Sequence, residues 1–216
     1  MSALGAFGVR DVTVVRGYKK EQVIVPGVRY VDNDRYRETG EVHSLFSAPD
    51  ALGGPFVVLY GDILFEPTIL ERLLRSTADV AVVVDRAFHD AQQAGIVPSG
   101  GPFDLVVTET PSNGRRFVAP EGGSRVLRIG PEVPPGEAHG EFIGMALFSA
   151  RGAERLRAVH AELLGERAEG LERASITQIL QALVDRGETV TAVDVHKGWM
   201  EVDSFEDYRR AWAEMK

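Results

Sequence analysis

The sequence predicts an α/β protein with a mostly parallel sheet flanked by helices, and three observations carry that expectation. The run Phe56-Val57-Val58-Leu59-Tyr60 ends on Gly61-Asp62 and follows Gly53-Gly54-Pro55, the mark of a buried strand bounded by turn residues. A second apolar run over residues 80–84 closes on Asp85. Between the two, Ile69, Leu70, Leu73 and Leu74 recur at helical spacing behind Pro67, a favourable first-turn residue. Strand, helix and strand built from unbroken apolar runs suit a parallel sheet buried on both faces.

The remaining elements follow in order. Residues 12–15 make a short β-branched strand closing at Gly17, and residues 28–31 make another that ends in Asp32-Asn33-Asp34. Beyond the 80–84 strand, residues 105–108, 126–129 and 145–149 read as strands. Pro131, Pro134, Pro135, Gly136 and Gly140 make residues 131–140 a loop. Leu156, Val159 and Leu163 space a helix over 153–164, and Ile176, Ile179, Leu180 and Leu183 space another over 176–186. A strand over 190–195, an extended stretch over 199–203 and a helix through Trp212 complete the chain. No internal repeat and no linker interrupts it, so one domain spanning residues 1–216 is expected.

Composition removes several functions. The 216 residues are 44% hydrophobic, enough for a sizeable core, and a net charge of −8 opposes general nucleic-acid binding. An acidic balance still admits a small phosphate-bearing ligand carried with Mg²⁺. The absence of cysteine excludes disulfides and thiol chemistry, and none of the five histidines forms an HxxxH pair. No apolar stretch approaches the ~18 residues that a membrane span needs. The start Met1-Ser2-Ala3-Leu4 lacks a basic n-region, so a cytoplasmic location is expected.

The residues able to carry chemistry sit at predicted strand ends. Asp62, at the tip of the 56–60 strand, is placed where open α/β sheets bind ligands, and Gly61 permits close approach of a phosphate or metal. Gly-Asp is also ordinary turn chemistry. Asp203 supplies a second carboxylate; two such groups suit Mg²⁺, whereas Asp203 with Glu206 equally makes a capping box for the last helix. Thr39 and Gly40 lie near a helix N-terminus whose free N–H groups favour anions or base edges, with a capped helix start as the equal reading. Glu141, beside apolar residues, reads either as an edge-strand charge or as the acceptor of a positive group. Lys19 follows a strand end where a lysine meets a phosphate or begins a solvated helix.

These pieces occur in one series: Val15-Arg16-Gly17-Tyr18-Lys19-Lys20, Asn33 with Tyr36, Thr39-Gly40-Glu41 with Ser44-Leu45, Tyr60-Gly61-Asp62, Gly140-Glu141-Phe142-Ile143-Gly144, and Trp199 through Asp203. The series resembles the nucleotidyltransferases that activate sugar phosphates and phosphocholine, with the nearest likeness to the cytidylyltransferases associated with phosphoenolpyruvate mutase in phosphonate biosynthesis. The resemblance covers essentially the whole chain and implies a Rossmann-like fold. It implies transfer of CMP from CTP to a small phosphonate or phosphocholine-like acceptor, with release of pyrophosphate. By the same resemblance Asp62 and Asp203 are catalytic and hold Mg²⁺, and Thr39, Gly40, Ser44 and Gly61 approach the nucleotide. Lys19, Glu141, Gly144 and Trp199 are implied on the acceptor side. A sugar-1-phosphate nucleotidyltransferase and a non-catalytic regulatory subunit of the same fold are the alternatives.

One departure stands out. The family opens with a strand, a G-x-G-x-R loop and a Pro-Lys pair, none of which the sequence contains; Gly5 and Gly8 precede Arg10 but also precede the strand that ranks second. The expectation is an N-terminally truncated domain lacking the first strand, with a gap of about 10 Å between the strands of Val12 and Phe56. A homodimer or a strand-complementing partner would cover the exposed edges. The chain alone is expected to bind CTP poorly. Pyrophosphate release measured with and without the residues encoded upstream tests this, and equal rates defeat it.

Overall fold

A computed structural model describes residues 2–88, 103–111, 123–166, 170–202 and 204–214. In chain order its first elements are α1 (Ser2–Ala6), β1 (Thr13–Arg16), β2 (Arg29–Asp32), α2 (Glu41–Phe46), β3 (Phe56–Leu59), β4 (Ile63–Phe65), α3 (Pro67–Leu74) and β5 (Val80–Asp85). Then come β6 (Leu105–Thr108), β7 (Ser124–Gly130), β8 (Gly140–Phe148), α4 (Ala150–Gly165), α5 (Ile176–Asp185), β9 (Val190–Val195), β10 (Trp199–Glu201) and α6 (Phe205–Glu214). They divide into two compact units, residues 1–56 with 149–188, and residues 57–148 with 189–216.

In the first unit the β-branched run of β1 pairs in parallel with β2, from Thr13 opposite Arg29 to Arg16 opposite Asp32. These two strands form a sheet of their own. The Arg16 guanidinium meets the Asp32 carboxylate at 2.9 Å, and Lys20 reaches Asp34 at 2.6 Å. Helices α4 and α5 bury Leu156, Val159, Ile179, Leu180 and Leu183. Serine fixes where each begins. The Ser149 hydroxyl accepts from the Gly152 N–H, and Ser175 exchanges bonds with Gln178 in a capping box.

The second unit contains a six-stranded sheet in the order β3-β8-β5-β9-β7-β6. Every residue of β5 is buried, as its unbroken apolar run requires, and burying each aliphatic side chain contributes about 1.5–3 kcal/mol before entropy is subtracted. Ile69, Leu70 and Leu73 of α3 are buried as well. The sheet is mixed. Only β5 and β9 pair in parallel among the registered pairs, while β8 runs antiparallel to β5 and β6, and β7 runs antiparallel to β6 and β9. An apolar run reports burial on both faces and carries no information on strand direction, so the expected parallel content was too high.

Two further differences bear on the site. Strand β8 begins at Gly140, five residues ahead of the expected 145, because Gly144 (φ +76°) is accommodated within the strand at a register shift against β5. A three-residue strand, β4, follows Gly61-Asp62 directly and pairs antiparallel with β10. Among the described residues no helix is long and apolar enough to cross a membrane.

Candidate active site

In the first unit, Asn33 is the organiser that the sequence did not reveal. It is buried, and its amide nitrogen donates to both the Thr39 and the Ser44 hydroxyls at 3.0 Å, while its carbonyl oxygen accepts from the Arg35 N–H. Two residues implied on the nucleotide side, Thr39 and Ser44, are thereby held to one amide. Gly40 serves packing. A Cβ there would lie 2.4 Å from the Arg173 carbonyl oxygen, so only glycine admits the 173–174 backbone. The expectation of free N–H groups at this helix start is corrected at two positions. The Gly40 N–H donates to the Glu172 carbonyl at 2.7 Å and the Val42 N–H to the Ala174 carbonyl at 3.0 Å. Lys19 is exposed, with its backbone in the left-handed region (φ 48°) and its amine 5.2 Å from the centre of the Tyr18 ring.

In the second unit the Gly61-Asp62 turn is exposed. Pairing of β4 with β10 sets Ile63 opposite Glu201 and Phe65 opposite Trp199. The Val202 N–H then donates to the Asp62 carbonyl at 2.8 Å. The backbone of Asp62 is thus joined to the residue adjacent to Asp203; Asp203 itself lies outside the described residues. The Asp62 side chain makes no hydrogen bond or ion pair among the described residues. The exposed Asp62 carboxylate is the type of oxygen ligand that a hard cation such as Mg²⁺ takes, and among the described residues no group of three acidic or imidazole side chains converges on a metal position.

Trp199 is fixed by a residue that the sequence marked only as a strand cap. Its indole N–H donates to the Asp85 carboxylate at 2.8 Å, and the other Asp85 oxygen accepts from the Ala87 and Lys197 N–H groups. Across the ladder Asp85 faces Glu141. Burial, then the neighbouring carboxylates of Asp85, Glu201 and Asp104, push the Glu141 carboxyl up to about 8. Gly144, implied on the acceptor side, receives the Tyr60 ring: a Cβ would lie 2.5 Å from it, and the Tyr60 N–H donates to the Gly144 carbonyl.

Arg86 fastens this region. Its guanidinium donates to the Thr108 hydroxyl and to the His139 carbonyl, both at 3.1 Å, and meets Asp194 at 2.7 Å. Among the described residues Asp194 Oδ1 and Arg86 Nε are buried without a hydrogen-bond partner, although Arg86 Nη2 lies 2.7 Å from that oxygen as an ion pair. The His139 carbonyl immediately precedes Gly140 and Glu141, so Arg86 pins the start of β8.

The raised Glu141 carboxyl has a consequence for stability. Between about pH 4.5 and pH 8 the folded chain retains a proton that the unfolded chain releases. Stability therefore falls as pH rises through that window, by up to roughly 1.4 kcal/mol per pH unit. Glu141→Gln removes the slope and leaves the variant more stable than the parent at pH 8. Urea midpoints at pH 5, 6.5 and 8 check this, and identical pH profiles for the two proteins would contradict it.

No family model matches the chain. Among curated proteins it is similar to the CTP:phosphoglutamine cytidylyltransferase of Campylobacter jejuni, with 22% identity over 224 residues, 96% of this chain and 83% of the relative. Among solved structures it is similar to the inositol-1-phosphate CTP transferase from T. maritima, with a TM-score of 0.67 and 20% identity over 99% of this chain and 78% of the other. The CTP:phosphocholine cytidylyltransferase from Streptococcus pneumoniae gives a TM-score of 0.64 and 16% identity, covering 100% of this chain and 82% of the other. The two structural likenesses show a shared Rossmann-like α/β fold.

Proposed function

We propose that this chain, which falls among the nucleotidyltransferases by its fold and its curated relative, transfers a cytidylyl group from CTP to a small phosphonate or phosphate-bearing acceptor. One observation carries the reading. The β4–β10 pairing and the Val202-to-Asp62 bond join the Gly61-Asp62 turn to the segment from Trp199 to Val202, one position short of Asp203 in the sequence. The two segments expected to supply acidic ligands thus share a ladder despite lying some 140 positions apart in sequence.

In the proposed reaction an acceptor oxygen attacks the α-phosphorus of CTP. A P–O bond forms to the acceptor, the bond to the β-phosphate bridge breaks, and pyrophosphate leaves. The acceptor oxygen is ionised at neutral pH, so no general base is required and the work is alignment and charge neutralisation. Asp62 and Asp203 are the residues that would hold Mg²⁺, which supplies charge stabilisation at the phosphate oxygens when bound. Thr39 and Ser44, held by Asn33, are assigned to the nucleotide together with Gly40, whose missing side chain admits the 173–174 backbone, and Gly61, which has open space around it. Glu141, Gly144 and Trp199 are assigned to the acceptor end, and Lys19 to a phosphate.

The acidic company of Glu141 favours an acceptor with a cationic group, because a positive charge there relieves the repulsion that raises its carboxyl. We therefore favour phosphonate or phosphocholine-like acceptors, and separately propose a cytoplasmic location from the sequence. Pyrophosphate release, measured with CTP, UTP, GTP and dTTP against 2-aminoethylphosphonate, phosphocholine and glucose 1-phosphate, tests the reading. The expected result is a preference for CTP with a cationic acceptor. A preference for glucose 1-phosphate with UTP or dTTP would replace it with the sugar-phosphate reading.

A further inference from the structure

The first unit holds a cavity of about 670 Å³ that contains none of the residues assigned to the reaction. Its walls come from α2, the last turns of α4 and the short helical turn Leu171–Arg173, all within one compact unit. The volume falls in the range of small-molecule sites, about 300–1,000 Å³. Phe46, Leu163, Leu164 and Leu171 supply an apolar lining, and the Phe46 ring stacks on the His160 imidazole at 3.5 Å with 10° between the planes.

The polar lining is unevenly satisfied. The Glu172 carboxylate is occupied by the Arg35 guanidinium at 3.2 Å. The Arg173 guanidinium has no ion pair or hydrogen bond among the described residues, and neither have the His43 and His160 rings. Burial, and then the nearby His43, hold the His160 imidazole below its usual range, so two protonated rings are unfavourable here without a counter-charge. With Glu172 neutralised, the cavity offers one guanidinium without an ion pair among the described residues and two imidazoles around an apolar lining.

We propose that this cavity binds a small amphipathic anion, a flat apolar body bearing one carboxylate or phosphate group. The body lies against Phe46, Leu163 and Leu171, and the anionic group is met by Arg173, His43 and His160. Charge complementarity selects an anion, and the apolar lining rejects one that is fully hydrated. The proposal stands apart from the cytidylyl-transfer reading, since none of the residues assigned to that reaction lines the cavity.

The test uses phenyl phosphate as probe, followed by proton NMR of the histidine Hε1 resonances, assigned with His43→Gln and His160→Gln. The expected result is a saturable shift of both resonances and a rise of the His160 pKa back toward its usual range at saturation. Inorganic phosphate, which lacks the apolar body, and phenol, which lacks the charge, should each bind about tenfold more weakly or worse. Arg173→Met, at an exposed position, should weaken the probe about tenfold without moving the thermal midpoint. Absence of a saturable histidine shift overturns the proposal. Equal affinity in Arg173→Met overturns it as well, as does equal binding of inorganic phosphate.

Discussion

Asp62→Asn is expected to lower CTP-dependent pyrophosphate release by about two to four orders of magnitude while changing the unfolding free energy by no more than about 0.5 kcal/mol. The separation of the two effects follows from the turn itself. The Asp62 side chain is exposed and makes no hydrogen bond or ion pair among the described residues, so little stability rests on it. The link to β10 runs through the Asp62 backbone carbonyl, which asparagine retains. Asparagine also preserves shape and turn preference while removing the negative charge. Loss of turnover with an unchanged midpoint then reads as a charge effect. Full activity in the variant would remove Asp62 from the mechanism, and with it the reading of the Gly61-Asp62 turn as a metal site.

Arg86→Met is expected to cost about 3–5 kcal/mol of stability, because it strands a largely buried Asp194 carboxylate and withdraws a donor from Thr108 and the His139 carbonyl. For a chain of this length that is a fall of roughly 10 °C in thermal midpoint. Much of the loss is the penalty for an unpaired charge. Arg86→Met combined with Asp194→Leu should therefore recover a good part of it, as apolar replacement of buried ion pairs does. Calorimetry of both variants decides the point. A double variant no better than the single one would show that the bonds to Thr108 and His139 carry the stability instead.

What the sequence made legible was what burial writes into it. The 80–84 run is a fully buried strand, and the Ile69, Leu70, Leu73 spacing buries one face of α3. What it left hidden depends on partners remote in the chain. Strand β4 has three residues, too few for a period, and exists because β10 pairs with it. Strand β8 starts early because it carries Gly144 at a positive φ with the Tyr60 ring packed against it, a long-range contact that no local pattern reports. Asn33 looked like one of several polar residues after a strand; only the fold shows one amide serving both Thr39 and Ser44. Asp85 reads only as the close of an apolar run and Arg86 carries no signal of its own, yet one anchors Trp199 and the other anchors the start of β8.

Each unit is assembled from two stretches, residues 1–56 with 149–188 and residues 57–148 with 189–216, so the chain leaves each body and later returns to it. On the ribosome neither can close as it emerges. The earlier one awaits α5, more than a hundred positions after β1 appears, and the later one lacks β9, which sits between β5 and β7, until a further hundred positions after β5 have been made. Closing such long loops costs conformational entropy that no local contact returns early. Nascent material is thus held open until α5 and β9 have emerged, and its maturation should lean on chaperones that shield unfinished sheet edges.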